Sequence, residues 1–269
     1  MKKISNYFIV MLILFTFGGC EMIEYHPYDA RIKGETDINA KNIKRIEEIC
    51  SGKTTIRFAV ISDTQRWYDE TQDVVNVLNR RNDLDFVLHT GDTTDFGATK
   101  EFMWQRDILQ GLNVPYTVIL GNHDCLGDGL EVFQSIFGEE NYTFMAGNVR
   151  FVCLNTNALE FDYSHPVPDF TYLEDLINNK TPGHEKTVVA MHTCPYSEIF
   201  NNNVAKPFEV YISRFPGLQF CVYGHGHQIA ADDIFGDGVI YYQCSNIKKR
   251  NYLVFTITPE DYTYEVVQF

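Results

Sequence analysis

Residues 56–65 read IRFAVISDTQ, in which an apolar run typical of a strand ends in a polar tip, Ser-Asp-Thr-Gln. Residues 86–95 (FVLHTGDTTD) and residues 114–124 (VPYTVILGNHD) have the same arrangement. The intervening residues 71–80 and 99–112 have the apolar spacing of helices. Strands that alternate with helices predict a parallel sheet, in which the carboxyl ends of neighbouring strands lie at one edge.

The spacing of the polar tips supports this interpretation. Asp63 and Asp92 are 29 residues apart and Asp92 and Asn122 are 30 apart, which is about the length of one βαβ unit, roughly 30 residues. Two later apolar runs end in His192 and in Gly-His-Gly-His at residues 224–227. We therefore expect five polar tips to meet at one edge of the sheet system.

The rest of the chain completes an α/β prediction. Further helices are predicted at residues 38–50, 130–137 and 170–178, and further strands at residues 142–145, 149–154, 188–191, 218–223, 233–244, 252–258 and 262–269. The early strands are expected to be parallel and the late ones to add antiparallel pairs. The sequence thus predicts α/β layers around a largely buried sheet system.

The polar tips carry the side chains of a metal centre. A lone Asp at a strand end is usually a helix cap and a lone His is usually structural, but five such tips are hard to explain as five caps. Carboxylate, imidazole and amide donors suit Mn²⁺, Fe or Zn²⁺. There are too many donors for one ion, and a pair of ions about 3.5–4 Å apart is the usual machinery of phosphoester hydrolysis. The candidate ligands are Asp63, Gln65, Asp92, Asn122, His192, His225 and His227.

The ordered set D-x-Q, GDxxD, GNHD, an isolated His and GHxH resembles the calcineurin-like metallophosphoesterases over residues 55–245. The resemblance implies a four-layer α/β/β/α sandwich with the metals at its strand ends. It also implies a division of the ligands between two ions bridged by one carboxylate. The first ion would take Asp63, Gln65 and His227, the second Asn122, His192 and His225, and Asp92 would bridge them.

The same resemblance implies a mechanism. Phosphate esters would be hydrolysed by a water activated at the binuclear centre, with the imidazole of His123 assisting the leaving group. Asp95 is in the position of the residue that orients this imidazole and favours its protonated form. Arg66 could pair a second phosphate, and Trp67 and Tyr68 could stack a base or sugar. The alternative is that these three residues cap and pack the first helix.

Gln65 departs from the family pattern, which usually has His at this position. A carboxamide oxygen is a neutral and weaker donor than imidazole, so we expect the first site to favour Mn²⁺ over Zn²⁺. The implied cofactors are two divalent metal ions, with Mn²⁺ favoured and Fe or Zn²⁺ open. The alternative is that the first site simply binds metal poorly.

The first twenty residues are typical of an export signal. Met1-Lys2-Lys3 precedes an apolar run at residues 7–17, and Phe-Gly-Gly-Cys follows at residues 17–20. This ending resembles a bacterial lipoprotein signal, which implies an exported protein anchored to a membrane by lipid on Cys20, at a periplasmic or cell-surface face. A plain signal peptide or an uncleaved anchor is the alternative. We expect a signal at residues 1–19, a linker with a short helix at 20–53, and a metallophosphoesterase domain at 54–269.

The composition limits the partners. The 269 residues include 22 Lys and Arg against 36 Asp and Glu, for a net charge of −14. This acidity argues against nucleic acid as a partner, because phosphates favour a basic face. A phosphorylated small molecule is the expected substrate, and no protein partner can be inferred. A nuclease of the same family and a catalytically silent metal-binding surface lipoprotein stay open as alternatives.

Overall fold

The computed structural model describes residues 31–269, so the predicted signal and Cys20 lie outside the described residues. Six α-helices are present in this part of the chain: α1 (Ile38–Cys50), α2 (Tyr68–Leu78), α3 (Thr99–Leu109), α4 (Gly129–Ile136), α5 (Phe170–Asn178) and α6 (Ala205–Ile212). Within residues 31–269, none of these helices has the length and apolar character needed to cross a bilayer.

Eleven strands form two sheets in the described chain. They are β1 (Ile56–Ile61), β2 (Phe86–His89), β3 (Tyr116–Val118), β4 (Tyr142–Ala146), β5 (Val149–Leu154), β6 (Lys186–Met191), β7 (Leu218–Tyr223), β8 (Ala230–Asp232), β9 (Ile240–Gln243), β10 (Asn251–Ile257) and β11 (Tyr262–Gln268). The first sheet has the order β11-β10-β1-β2-β3 and the second the order β4-β5-β6-β7-β9-β8. The pairs β1–β2 and β2–β3 are parallel, as are the pairs that join β5, β6, β7 and β9.

The two sheets pack face to face, and helices cover their outer faces. Along β1, Phe58 and Val60 point into the core between the sheets, where the Phe58 ring packs edge-on against Phe151 of β5 at 5.0 Å. The alternate residues Ala59 and Ile61 pack with helices α2, α3 and α4, as the two-residue period of a strand requires. The outer face of the second sheet packs against α5 and α6. The predicted α/β class and the helix-flanked pair of sheets are confirmed.

One predicted strand is wrong. Residues 233–244 form a turn followed by β9 rather than a single strand, because the carboxylate of Asp233 accepts hydrogen bonds from the backbone N–H groups of Gly236 (2.7 Å), Asp237 (3.1 Å) and Gly238 (3.1 Å). Both glycines have positive φ, 71° and 92°, which favours a turn over an extended strand.

Helix α6 was not predicted. Its buried residues include Ala205, Phe208 and Ile212, which follow the spacing of a helical face. Pro207 interrupts the pattern in the sequence, but it lies in the first turn of the helix, where proline is tolerated because that backbone N–H needs no intrahelical acceptor. The remaining predicted elements are present, with shifts of a few residues at some ends.

Candidate metal centre

The five polar tips follow the carboxyl ends of β1, β2, β3, β6 and β7. The edges of the two sheets meet there, since Nδ1 of His192, after β6, donates to the carbonyl of Thr90, after β2, at 2.8 Å. Potential ligand atoms of Asp63, Asp92 and His192 lie within 4.8 Å of one another, and all three residues are buried. The structure therefore brings the predicted tips together in one site.

The predicted first ligand group surrounds the carboxylate of Asp63. Nε2 of His227 lies 3.1 Å from Asp63 Oδ1, while Asp63 Oδ2 accepts from the Ser62 hydroxyl and the backbone N–H of His225. The side-chain amide nitrogen of Gln65 lies 3.3 Å from Asp92 Oδ2. Gln65 would therefore have to turn its amide to present oxygen to a metal.

The predicted second ligand group surrounds Asn122. Asn122 Oδ1 lies 3.1 Å from Nε2 of His192 and 3.1 Å from Nδ1 of His225. Nε2 of His192 also lies 3.3 Å from Asp92 Oδ1. All seven predicted ligands thus occupy one continuous cluster, in which Asp92 contacts a member of each group, Gln65 and His192.

The donor atoms fit divalent cations. The Asp63 carboxylate is fully buried, and its Oδ1 has no hydrogen-bond partner of ordinary geometry despite the nearby His227 ring. Nδ1 of His192 donates to the Thr90 carbonyl, so Nε2 is the ring atom that faces the oxygens of Asp92 and Asn122. In the neutral ring Nε2 carries a lone pair, and in the charged ring it carries a proton. Burial alone would keep this ring neutral, yet the charge of Asp92 raises the pKa of His192 to about 9. Buried carboxylates are costly without a compensating positive charge, and metal ions would supply it.

Five of the seven ligand positions have a left-handed backbone. The φ angles are 50° at Asp63, 37° at Gln65, 58° at Asp92, 63° at His225 and 54° at His227. Non-glycine residues with positive φ are uncommon, and they concentrate at sites where the surroundings hold them. The loops at this edge are therefore shaped to aim side chains at one point.

Glycines let the ligand loops approach closely. A Cβ on Gly91, whose φ is 98°, would lie 2.6 Å from Nδ1 of His192, and a Cβ on Gly224 would lie 2.1 Å from the Ser62 hydroxyl. Real Cβ atoms are not found at such distances, so a side chain at either position would displace a ligand or its neighbour.

A buried carboxylate outside the predicted ligand set holds two of the loops together. Asp124 accepts hydrogen bonds from the backbone N–H and hydroxyl of Thr93 and of Thr94, and from the backbone N–H of Gly121. Burial and the charge of Asp92 raise the pKa of Asp124 to about 6. Asp124 thus fixes the loop after β2, which carries Asp92, to the loop after β3, which carries Asn122.

His123 lies beside the cluster and is partly exposed. Its backbone N–H donates to Asp92 Oδ1 at 3.0 Å, and its ring Nδ1 donates to the backbone carbonyl of Asp95 at 2.8 Å. The carboxylate of Asp95 instead accepts from Arg66 at 2.7 Å. Asp95 therefore contacts His123 through the main chain, whereas the resemblance implied an orienting residue that favours the protonated ring.

Of the three candidate substrate residues, Arg66 is exposed, whereas Trp67 and Tyr68 pack against other side chains. The side chain of Arg66 is 60% exposed while it pairs with Asp95. Trp67 has the Lys248 ammonium over its ring at 4.4 Å, and Tyr68 packs edge-on against Trp104 at 5.4 Å. Trp67 also packs against the core beneath α2. The packing alternative therefore describes both aromatic residues, and their contact with substrate stays a prediction.

Two residues near the site were not among the predicted site residues. The fully buried His89 lies 3.0 Å from the Thr64 hydroxyl and accepts from the N–H of Gly91, and burial lowers its pKa to about 4. Glu198 lies on the loop after β6, with Oε1 3.3 Å from Nε2 of His225. No motif marks Glu198 in the sequence, because only the folded loop brings it to the site.

Comparison with known families identifies the fold family. Residues 56–229 match the family model described as calcineurin-like phosphoesterase, which is more than half of the chain. The chain belongs to this family. The resemblance inferred from the motifs is therefore confirmed.

Two curated relatives match parts of the chain. A 3',5'-cyclic-nucleotide phosphodiesterase from Nostoc sp. is 26% identical over 156 residues, which are 55% of this chain and 58% of the relative. A probable glycerophosphodiester phosphodiesterase from Arcobacter nitrofigilis is 37% identical over 51 residues, 19% of each chain. The matches thus span at most about 58% of the length of these relatives.

Solved structures of two phosphatases share the fold. A dimetal phosphatase from Danio rerio has a TM-score of 0.62 at 13% identity, covering 79% of this chain and 97% of that one. The purple acid phosphatase PPD1 from yellow lupin has a TM-score of 0.61 at 14% identity, covering 81% of this chain and 52% of that one. At these identities the likeness establishes the architecture of two sheets between helices.

Proposed function

We propose that this chain hydrolyses phosphate esters at a centre of two divalent metal ions. The observation that carries the proposal is the convergence of buried Asp63, Asp92 and His192 at one point. The backbone N–H of His123 donates directly to Asp92, the candidate bridging carboxylate. Metal binding alone requires no imidazole held beside the ligands. Imidazole is the side chain that most often serves as the general acid for a departing group.

The chain's own residues would hold and assist the reaction. Bound at the seven ligands, the metals would supply a water of lowered pKa and neutralise charge on the phosphoryl oxygens. The Asp95 carbonyl accepts the Nδ1 proton of His123, so in the doubly protonated ring Nε2–H is the group that would donate its proton to the leaving oxygen and leave the ring neutral. The hydrogen bond from the backbone N–H of His123 to Asp92 fixes the position of this residue relative to the metal ligands.

We propose a phosphodiester rather than a monoester as the substrate. The support is the similarity to the Nostoc relative, which is named a 3',5'-cyclic-nucleotide phosphodiesterase and is matched over 58% of its length. The acidic balance of the chain, −14, also favours a substrate with fewer negative charges. A phosphodiester carries one charge on its phosphate where a monoester carries up to two.

The experiment compares bis(4-nitrophenyl) phosphate with 4-nitrophenyl phosphate, each with Mn²⁺ and with a chelator. We expect metal-dependent release of nitrophenolate, with a higher kcat/KM for the diester. Faster turnover of the monoester would make the chain a phosphatase. No turnover of either ester with two metals measured in the protein would contradict the proposal and favour a silent metal-binding protein.

We further propose that Mn²⁺ is the preferred metal, because Gln65 replaces an imidazole with a weaker carboxamide donor. Gln65→His is expected to raise Zn²⁺-supported activity relative to Mn²⁺-supported activity by about tenfold. The measurement is the ratio of the two activities after metal-free protein is reloaded with each ion. Gln72→His, at an exposed position of α2, is the matched control. An unchanged ratio in Gln65→His would remove Gln65 from the ligand set.

A further inference from the structure

A cavity of about 450 Å³ lies between the loop after β5 and the loop after β6. Its apolar lining includes Phe161 and Val167 from the first loop, Phe170 at the start of α5, and Ile199 and Phe200 from the second loop. Cavities of roughly 300–1,000 Å³ with mostly apolar walls are typical of small-molecule sites. None of the residues described so far as ligands contributes to this lining.

Hydrogen bonds hold the two loops in place. The N–H of Leu159 donates to the carbonyl of Ile199 at 3.1 Å. Thr156 and Thr193 each donate a hydroxyl hydrogen bond to the other's carbonyl, at 2.8 Å and 2.9 Å. The side chain of Asn157 donates to the carbonyl of Leu120 at 2.9 Å, two residues before the ligand Asn122. The cavity is therefore fixed relative to the metal ligands.

The cavity adjoins the candidate metal centre at Glu198. Glu198 lines it and also lies 3.3 Å from Nε2 of His225. The rim of the cavity is therefore one side chain away from the ligand candidate His225, which is a distance that an ester group of a substrate held at the metals could span.

The charged and aromatic side chains that line the cavity favour some ester groups over others. Among residues 31–269, the ionisable groups that line the cavity are His165, the phenol of Tyr163 and the carboxylates Asp162 and Glu198, and none of the lining residues in that range is Lys or Arg. The ring of Phe161 stacks on His165 at 4.7 Å between centroids, which holds an aromatic face at the cavity. Aromatic walls favour a flat apolar group, and the carboxylates disfavour a negatively charged one.

We propose that this cavity binds the second ester group of a phosphodiester substrate and selects an uncharged aromatic group. The proposal rests on the proposed phosphoesterase function and extends it to a substrate class. Phe161 would supply the aromatic contact, and Asp162 would exclude anionic groups. Both residues lie outside the ligand set and the hydrogen bonds of His123, so they affect selectivity rather than the reacting atoms.

The test uses three 4-nitrophenyl phosphodiesters whose second group is methyl, phenyl or 3-carboxyphenyl. For the unmodified protein loaded with Mn²⁺, we expect kcat/KM to be about tenfold higher for the phenyl ester than for the methyl ester. The carboxyphenyl ester should fall below the phenyl ester by a similar factor. Phe161→Ala should remove the phenyl preference, mainly through KM, and leave the methyl ester unchanged.

Two further variants separate selectivity from a folding defect. Asp162→Lys, at an exposed position, should raise kcat/KM for the carboxyphenyl ester several-fold relative to the phenyl ester. Tyr264→Ala removes a partly exposed aromatic ring on β11 and should leave all three rates in their original order. Equal losses for all three esters in Phe161→Ala would overturn the proposal.

The methyl ester separates a failure of the cavity assignment from a failure of the proposed phosphoesterase function. Its hydrolysis without any preference for the phenyl ester would disprove the cavity assignment and leave the phosphoesterase intact. If none of the esters is hydrolysed by protein with measured metal, the phosphoesterase proposal fails and the cavity assignment fails with it.

Discussion

Asp92→Asn is expected to lower kcat/KM for a phosphodiester by at least about 10³-fold. Asp92 Oδ1 accepts from the His123 N–H and faces Nε2 of His192, and its Oδ2 faces the amide nitrogen of Gln65. Asparagine keeps the size of the side chain but removes the negative charge that both ligand groups share. We therefore expect the metal content to fall together with the activity, from two ions per chain toward one or none.

Asp73→Asn is the matched control for this charge change. Asp73 is exposed on α2 and pairs with Arg250 at 2.8 Å, so its loss should leave both rate and metal content unchanged. Metal content would be measured by elemental analysis of the two purified variants beside the parent protein. Full activity of Asp92→Asn with two bound ions would refute a bridging role.

The second large loss of activity is expected on substitution of His123. His123→Asn keeps a polar side chain but removes the imidazole proton donor, and kcat should fall by about 10²–10⁴-fold for an ester with an alkoxide leaving group. For a nitrophenyl ester the loss should be much smaller, because nitrophenolate departs readily without a proton. Metal content should stay at the parent value, since the backbone N–H that contacts Asp92 is retained.

His184→Asn provides the control, because His184 lies before the amino end of β6, at the end of the strand opposite His192, and contacts the Thr187 hydroxyl at 2.8 Å. Comparing alkyl and nitrophenyl esters in both variants separates proton donation from general damage. If His123→Asn slowed the two leaving groups by the same factor, the imidazole would act on the phosphoryl group or the metals, and its assignment as an acid would be wrong.

The sequence allowed the positions of the site to be predicted, because strand ends and their spacing are local properties. Asp63, Asp92 and Asn122 follow predicted strands at βαβ intervals, and all three meet at the sheet edge. The contacts of individual side chains could not be predicted in this way. Arg66 binds the carboxylate of Asp95, and that choice depends on the shape of two loops distant in sequence.

The elements that sequence analysis misplaced have specific causes. The run 233–244 contains the apolar stretch 239–242, most of which lies in β9, but three backbone hydrogen bonds to Asp233 form a turn ahead of it. Glu198 has no motif, since its loop reaches His225 only after β6 and β7 pair. Such features depend on contacts between remote segments, which periodicity does not encode.

The left-handed backbone of the ligand loops restricts which amino acids evolution can place there. Among residues other than glycine, Asn, Asp and His are the types enriched several-fold in that conformation, and they are also metal-binding types. Asp63, Asp92, His225 and His227 satisfy both demands, whereas Gln65, at φ 37°, satisfies only the second. Glycine would relax the backbone but bring no donor atom. Few amino-acid types can therefore occupy these ligand positions without loss. Gln65 occupies the one of the five left-handed ligand positions whose residue type does not favour this backbone conformation.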